Sequence, residues 1–210
     1  MNANLKLYEQ QHLLDDMTEK QKRVLSAAID VFAEKGYANS STKEIAARAG
    51  VAEGNIFNRF TNKRGLLEAI VNPVIDQIFP FTLRDLIDNQ LSKNNQTLAD
   101  FIDGIIRDRL AFVIENARVV KIFIGELFYH EEMRDLLMKS LPKPYWDRVR
   151  DELRILQALG EMVPWDPQEV LRLIWSTVGG AAIGYLFFDQ ALTETAISHT
   201  VEALIKQLRP

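Results

Sequence analysis

The chain contains no cysteine. Disulfide bridges, thiolate metal sites and a cysteine nucleophile are therefore excluded. Histidine is scarce: His12, His130 and His199 lack the spacing of a metal-ligand pair, so neither a metal nor another cofactor is expected. A glycine-rich phosphate loop, a G-x-S-x-G turn and a zinc-binding signature are all missing, which argues against an enzyme. Long apolar runs are missing too. The least charged stretch, Leu173 to Phe188, is short for a bilayer and holds Gly179, Gly180 and Gly184, so it reads as a buried helix and no membrane partner is expected. The opening MNANLKLYEQQ does not follow the basic-then-apolar order of a signal peptide, and a cytoplasmic location is expected.

What is present is the composition of a soluble globular protein, 47% hydrophobic and 26% charged over 210 residues, enough for one or two domains. The net charge of −4 is unevenly spread. Nine basic and six acidic side chains give residues 18–70 a net charge of +3, while residues 1–17 carry −2. A basic segment in an acidic chain fits a polyanionic partner at that end.

The positive segment contains STKEIAARAGVAEGNIFNRF, Ser41 to Phe60. Ser41 with Glu44 three residues on forms a capping box that starts a helix over about 42–49. Gly50, Val51 and Ala52 make the turn, and a second helix follows over about 53–59 with Ile56 and Phe60 as anchors. Two short helices at a steep angle, the second presenting polar side chains, place a helix in the DNA major groove. The DNA-facing set is Thr42, Lys43, Ala52, Glu53, Gly54, Asn55, Phe57, Asn58, Arg59 and Lys63. Thr42, Lys43 and Lys63 sit at helix N-termini, where side chain and dipole favour phosphate. Asn55, Asn58 and Arg59 are the candidates for base edges, since asparagine pairs with adenine and arginine with guanine, with a phosphate or Glu53 as the alternative partner of Arg59. Gly54 lets the backbone approach closely. Arg48 and Arg64 read as solvated charges.

Around this stretch the chain reads as all helix. Residues 1–17 suggest a frayed or loosely docked helix, because an arm for the minor groove would need more than Lys6. Thr18 and Gln21 cap a helix with Val24, Leu25, Ala28, Ile29 and Phe32 inward, and Gly36 ends it. Tyr37 either packs back or offers its hydroxyl to a phosphate. Asn62 caps a fourth helix, which Asn72-Pro73 interrupts as either an end or a hinge. Residues 88–95 form a polar loop, and Thr97 caps the next helix. Helices follow over about 118–129, 131–140 and 145–159, with Pro142 and Pro144 as breaks. Asp166-Pro167 opens a long helix that is apolar almost all round and needs cover on every side. The last helix repeats Ile197, Val201, Leu204 and Leu208, and these two terminal helices suit packing on a second copy of the chain.

Residues Ala27 to Ile70 carry a closer resemblance. Glu34-Lys35-Gly36-Tyr37, Thr42 with Ile45-Ala46, Ala49-Gly50-Val51, Gly54 with Phe57 and Phe60, and Lys63 with Leu66 stand in one register. This region resembles the TetR family of bacterial transcriptional regulators. Ala52 stands where that family usually has serine or threonine, Phe57 where it has tyrosine, and Gly65 where an acidic helix former is common; this glycine softens the helix start. The resemblance implies an N-terminal three-helix helix-turn-helix domain at 18–64, preceded by an extension at 1–17. An effector-binding and dimerisation bundle over 65–210 would follow. It implies a homodimer formed through the last two helices, a palindromic double-stranded operator and a repressor released by a small hydrophobic effector. Polar and aromatic groups in the apolar helices supply the ligand set: Arg109, Phe112, Phe123, Glu126, Tyr129, Trp146 and Trp175. An Arg109–Glu126 ion pair inside an ordinary core is the alternative. A protein-interaction or ligand-carrier module with a degenerate helix-turn-helix is the competing function.

Overall fold

A computed structural model describes residues 4–86, 97–140 and 143–210, the side chains of residues 55, 57, 58 and 144 excepted. The expected loop at 88–95 and Pro142 lie outside the described residues. Among the described residues there are helices and no strands. They form two compact units, one from residues up to Phe81 together with Asn116–Ser140, the other from Thr82–Glu115 together with the chain beyond residue 142. This division does not fall at residue 64. Helices well beyond the helix-turn-helix belong to the same unit as it does.

The first unit is built on α2 (Glu19–Lys35). The Thr18 hydroxyl accepts from the Gln21 amide at 3.3 Å and the Gln21 side chain accepts from the Thr18 amide at 2.9 Å, so the capping box is closed. Gly36 ends the helix at φ 78. The buried stripe is wider than periodicity suggests. Ser26, Ala27, Val31 and Ala33 are buried beside the expected residues, because α3 (Thr42–Ala49), α5 (Lys63–Pro73) and α8 (Ala117–Tyr129) all pack on α2. Between α3 and α5 lies α4 (Gly54–Phe60). The α9 helix (Glu131–Ser140) packs on α8.

The N-terminal extension is docked, not frayed. It contains a short helix α1 (Lys6–Glu9), and Leu5, Leu7, Tyr8 and Leu14 are buried. The Tyr8 hydroxyl donates to the Ile70 carbonyl at 2.8 Å, and Asn4 donates to Asp30 at 2.8 Å. These partners lie far along the chain, beyond the reach of local composition.

Asn72-Pro73 does not end the fourth helix. A π-helical turn, Val74–Ile78, follows α5 directly and leads into α6 (Phe79–Leu86). Proline lacks an N–H and its ring crowds the carbonyl four residues back. Widening the ladder by one residue keeps the run helical despite that local loss.

In the second unit α7 (Leu98–Glu115) packs on α11 (Pro167–Phe187) and α12 (Glu194–Leu208), and α10 (Lys143–Ala158) packs on α11. Thr97 and Asp100 cap α7 reciprocally, with the Asp100 amide donating to Thr97 at 3.2 Å and the Thr97 amide to Asp100 at 3.3 Å. Arg107 ties α7 to α12 through Glu194 at 2.5 Å and Ser198 at 3.0 Å. Asp166 accepts from the Gln168 amide at 2.7 Å, and Pro167 occupies the first turn of α11, as the dipeptide predicts. By length and composition the helical run 63–86 and α11 could each cross a bilayer. In α11, however, Val170, Leu171, Ile174, Val178 and Leu186 bury their side chains within the unit.

Candidate nucleic-acid interface

The α3–turn–α4 corner forms as the residues suggest. Ser41 accepts from the Glu44 amide at 3.2 Å. The cap is one-sided, however, because the Glu44 carboxylate pairs with Lys35 at 2.6 Å. Gly50 ends α3 in the left-handed conformation at φ 65, where a side chain would be strained. Ile45, Ala49, Ile56 and Phe60 are buried and clamp the corner, and Val51 is half-buried.

The expected phosphate and base contacts are not equally free. Lys43 is exposed and has no partner among the described residues. Thr42 donates its hydroxyl to Glu53 at 2.6 Å, so these two occupy each other at the junction of the helices. Ala52 and Gly54 are exposed, and α4 starts without a side-chain cap. Lys63 is not a free cation. Its ammonium donates to the Ser40 carbonyl at 2.7 Å and lies 4.4 Å from the centre of the Tyr37 ring. That ring in turn packs edge-on to Phe32 at 5.4 Å, so Tyr37 takes the structural role. Burial raises the Tyr37 hydroxyl above its ordinary pKa. Arg59 pairs with Asp16 of the N-terminal extension at 2.5 Å, a partner that sequence reading missed. Arg48 pairs with Glu34, and Arg64 bridges Glu68 and Glu132. Both are held by ion pairs rather than simply solvated. Asn55, Phe57 and Asn58 belong to α4 by backbone; their side chains fall outside the described set.

The expected ligand residues divide between the units. Phe123, Glu126 and Tyr129 belong to the first. Glu126 is buried and pairs with His130 at 3.1 Å; desolvation raises its pKa, opposed by that histidine. Tyr129 is 84% exposed, which ill suits a pocket wall. Arg109, Phe112, Trp146 and Trp175 belong to the second. Arg109 is buried and donates through Nε to Asp108 at 2.7 Å and to the Thr82 carbonyl at 3.1 Å, with its guanidinium 5.7 Å from the Phe112 ring centre. These are its ionic and hydrogen-bonded partners within the second unit. Trp146 meets Trp175 edge-on at 6.4 Å and Tyr145 at 4.8 Å.

Tyr145 was not singled out from the sequence. It is 3% exposed, and its hydroxyl has no hydrogen-bond partner among the described residues. Burial pushes its pKa up to about 12. Buried phenols ordinarily find an acceptor, as Tyr8 does. Tyr145→Phe is therefore expected to stabilise the protein by about 1 kcal/mol in a urea titration, because it removes a desolvated donor without losing a bond to any described residue.

Comparison with known proteins bears on both regions. Residues 24–70 match the model for the "Bacterial regulatory proteins, tetR family". The HTH-type transcriptional regulator YvkB of Bacillus subtilis is 46% identical over 56 residues, which make up 27% of this chain and 30% of that one. The chain thus spans less than a third of that relative's length. The transcriptional regulator FadR of Bacillus subtilis, solved in complex with stearoyl-CoA, is 23% identical with a TM-score of 0.60, covering 88% of this chain and 97% of that one. AibR, solved in complex with isovaleryl coenzyme A and operator DNA, is 21% identical with a TM-score of 0.62, covering 91% and 99%. These two likenesses extend the shared fold across the helical units.

Proposed function

We propose that the chain, whose residues 24–70 match the model for the bacterial regulatory proteins of the tetR family, is a member of that family and a homodimeric, ligand-responsive DNA-binding transcriptional regulator of the cytoplasm. The observation that carries this reading is the α3–α4 corner, buried on one side by Ile45, Ile56 and Phe60 and exposed at Lys43, Ala52 and Gly54 on the other. Such a corner presents its second helix to a major groove. Phosphate positioning falls on Lys43, base reading on Asn55, Asn58 and Arg59, while Thr42 is held by Glu53 and Lys63 holds the loop before α3 in place.

The dimer forms through α11 and α12. Along α11 Leu173, Trp175, Ile183 and Tyr185 are only half covered, and Phe187 and Phe188 are 40% and 67% exposed at its end. A helix this apolar calls for further cover. Two copies would present two recognition helices to a palindromic operator. The effector is a small hydrophobic compound of the acyl-coenzyme A class, a reading supported by the ligands of the FadR and AibR structures and by Arg109 among apolar and aromatic side chains. An effector that binds better to the conformation unable to span both half-sites shifts the population away from DNA, which is repression relieved by ligand.

Duplexes selected from a random pool, followed by salt-dependent gel shift, test the reading. A sequence preference released by stearoyl-CoA or isovaleryl-CoA is expected; no preference at any salt would sink it. Within that experiment Lys43→Ala is expected to weaken all duplexes alike and to reduce the salt slope by about 1. Asn55→Ala is expected to erode discrimination at one base position by about 1–3 kcal/mol. Equal losses on selected and scrambled duplexes for both variants would refute the division of roles.

A further inference from the structure

The N-terminal extension makes a contact that its composition does not explain. Asp16 reaches across 43 positions of chain to accept from the Arg59 guanidinium at 2.5 Å. Arg59 lies in the last turn of α4, the helix proposed to read bases. Both side chains are substantially exposed, 37% for Arg59 and 66% for Asp16. An exposed pair of this kind adds little to stability. Its consequence is directional.

Two further observations say that Asp16 is held rather than passing by. The segment before it is fastened by burial of Leu5, Leu7, Tyr8 and Leu14 and by the Tyr8–Ile70 hydrogen bond at 2.8 Å. Backbone bonds from Leu13 to Tyr8 at 3.0 Å and from Met17 to Leu14 at 3.0 Å close the turns that lead to Asp16 and away from it. One terminal nitrogen of Arg59 meets Asp16, and among the described residues Nε and the other terminal nitrogen have no partner. Hydrogen bonding to Arg59 lowers the Asp16 pKa, so the carboxylate is charged near neutral pH.

We infer that Asp16 is a positioning residue for DNA recognition, pinning one end of the Arg59 guanidinium so that its free edge is presented to a base rather than to a phosphate. The inference rests on the DNA-binding reading above. An arginine fixed at one nitrogen retains N–H groups that match the O6 and N7 acceptors of guanine. Released, the same side chain gains the freedom to reach the sugar-phosphate backbone, which carries no sequence information. The extension, with its net charge of −2, contributes selectivity where a basic arm would contribute attraction.

The test uses the full chain, a duplex selected by the wild type from a random pool, and a scrambled duplex of equal length. Wild type, Asp16→Asn, Arg59→Ala and the double variant are titrated with both duplexes over a salt series. Asp16→Asn is expected to lower the selected-to-scrambled affinity ratio about threefold and to steepen the salt slope by about 1 as Arg59 takes up a phosphate. In the Arg59→Ala background the same change leaves the ratio and the slope where they are. An unaltered ratio in Asp16→Asn overturns the inference, as does an equal fall in the Arg59→Ala background, which would mark a general charge or folding effect. A wild type that selects no sequence overturns the DNA-binding reading itself, and is told apart because it appears before any variant is compared.

Discussion

Gly65→Ala is expected to be among the most damaging single substitutions in the first unit, costing about 3 kcal/mol and lowering the urea midpoint at unchanged slope. A β-carbon at this position would overlap the carbonyl oxygen of Phe60, with the Phe60 carbonyl carbon close behind. The obstacle is backbone, so no side chain can swing aside. The cause lies in the turn between α4 and α5. Thr61 has φ 62 and ψ −49, and the Asn62 amide donates back to the Phe60 carbonyl at 2.6 Å, which is a γ-turn of the rare positive-φ kind. That turn aims the Phe60 carbonyl at the start of α5, where Asn62 accepts from the Gly65 amide at 2.9 Å. Alanine must push the two helices apart, and α4 moves with them. Gly54→Ala is the control, since nothing among the described residues lies within 4 Å of a β-carbon there. From propensity alone Gly65 reads as a weak spot in α5. The structure makes it a requirement.

Tyr8→Ala is expected to cost about 4 kcal/mol, close to the value for a core aromatic, although the residue lies near the chain's start. Tyr8 is fully buried, and its hydroxyl is bonded to Ile70. Truncation leaves a cavity against α5 and an unpaired carbonyl within it. Tyr8→Phe isolates the hydrogen bond and is expected to cost about 1 kcal/mol. Its sign is opposite to that of Tyr145→Phe, so the two phenols report whether a buried hydroxyl has found its acceptor. Chemical denaturation of the three variants measures the set. A loss below about 1 kcal/mol for Tyr8→Ala would mean that the extension is not docked in solution.

These cases show where sequence reading reaches and where it stops. Helix starts were legible wherever the cap is local. Thr18 with Gln21, Asn62 with Gly65, Thr97 with Asp100 and Asp166 with Gln168 all join within three residues. The corner of α3 and α4 was legible for the same reason, its anchors recurring at helical spacing. Features settled by distant partners were not. Nothing near Tyr8 announces Ile70, nothing near Arg59 announces Asp16, and Lys63 is drawn to carbonyls of the loop before α3 instead of standing free. Pro73 was legible as a disturbance, but its outcome depends on what buries the turns on either side. The ligand candidates rest on residue type alone, and neither the position of Tyr129 at the surface nor the burial of Tyr145 has a local signature.

The π-helical turn after Pro73 has a consequence for phase. Leu66, Ile70, Val74 and Ile78 recur every four residues and are all buried. A regular α-helix turns in 3.6 residues, so a repeat of four drifts by about 40° at each step and would wind these side chains round the helix over three steps. One wider turn takes up part of that slip, as a leap day corrects a calendar. The proline that seems to threaten this helix thereby stands at the start of the correction that keeps its apolar column facing one way.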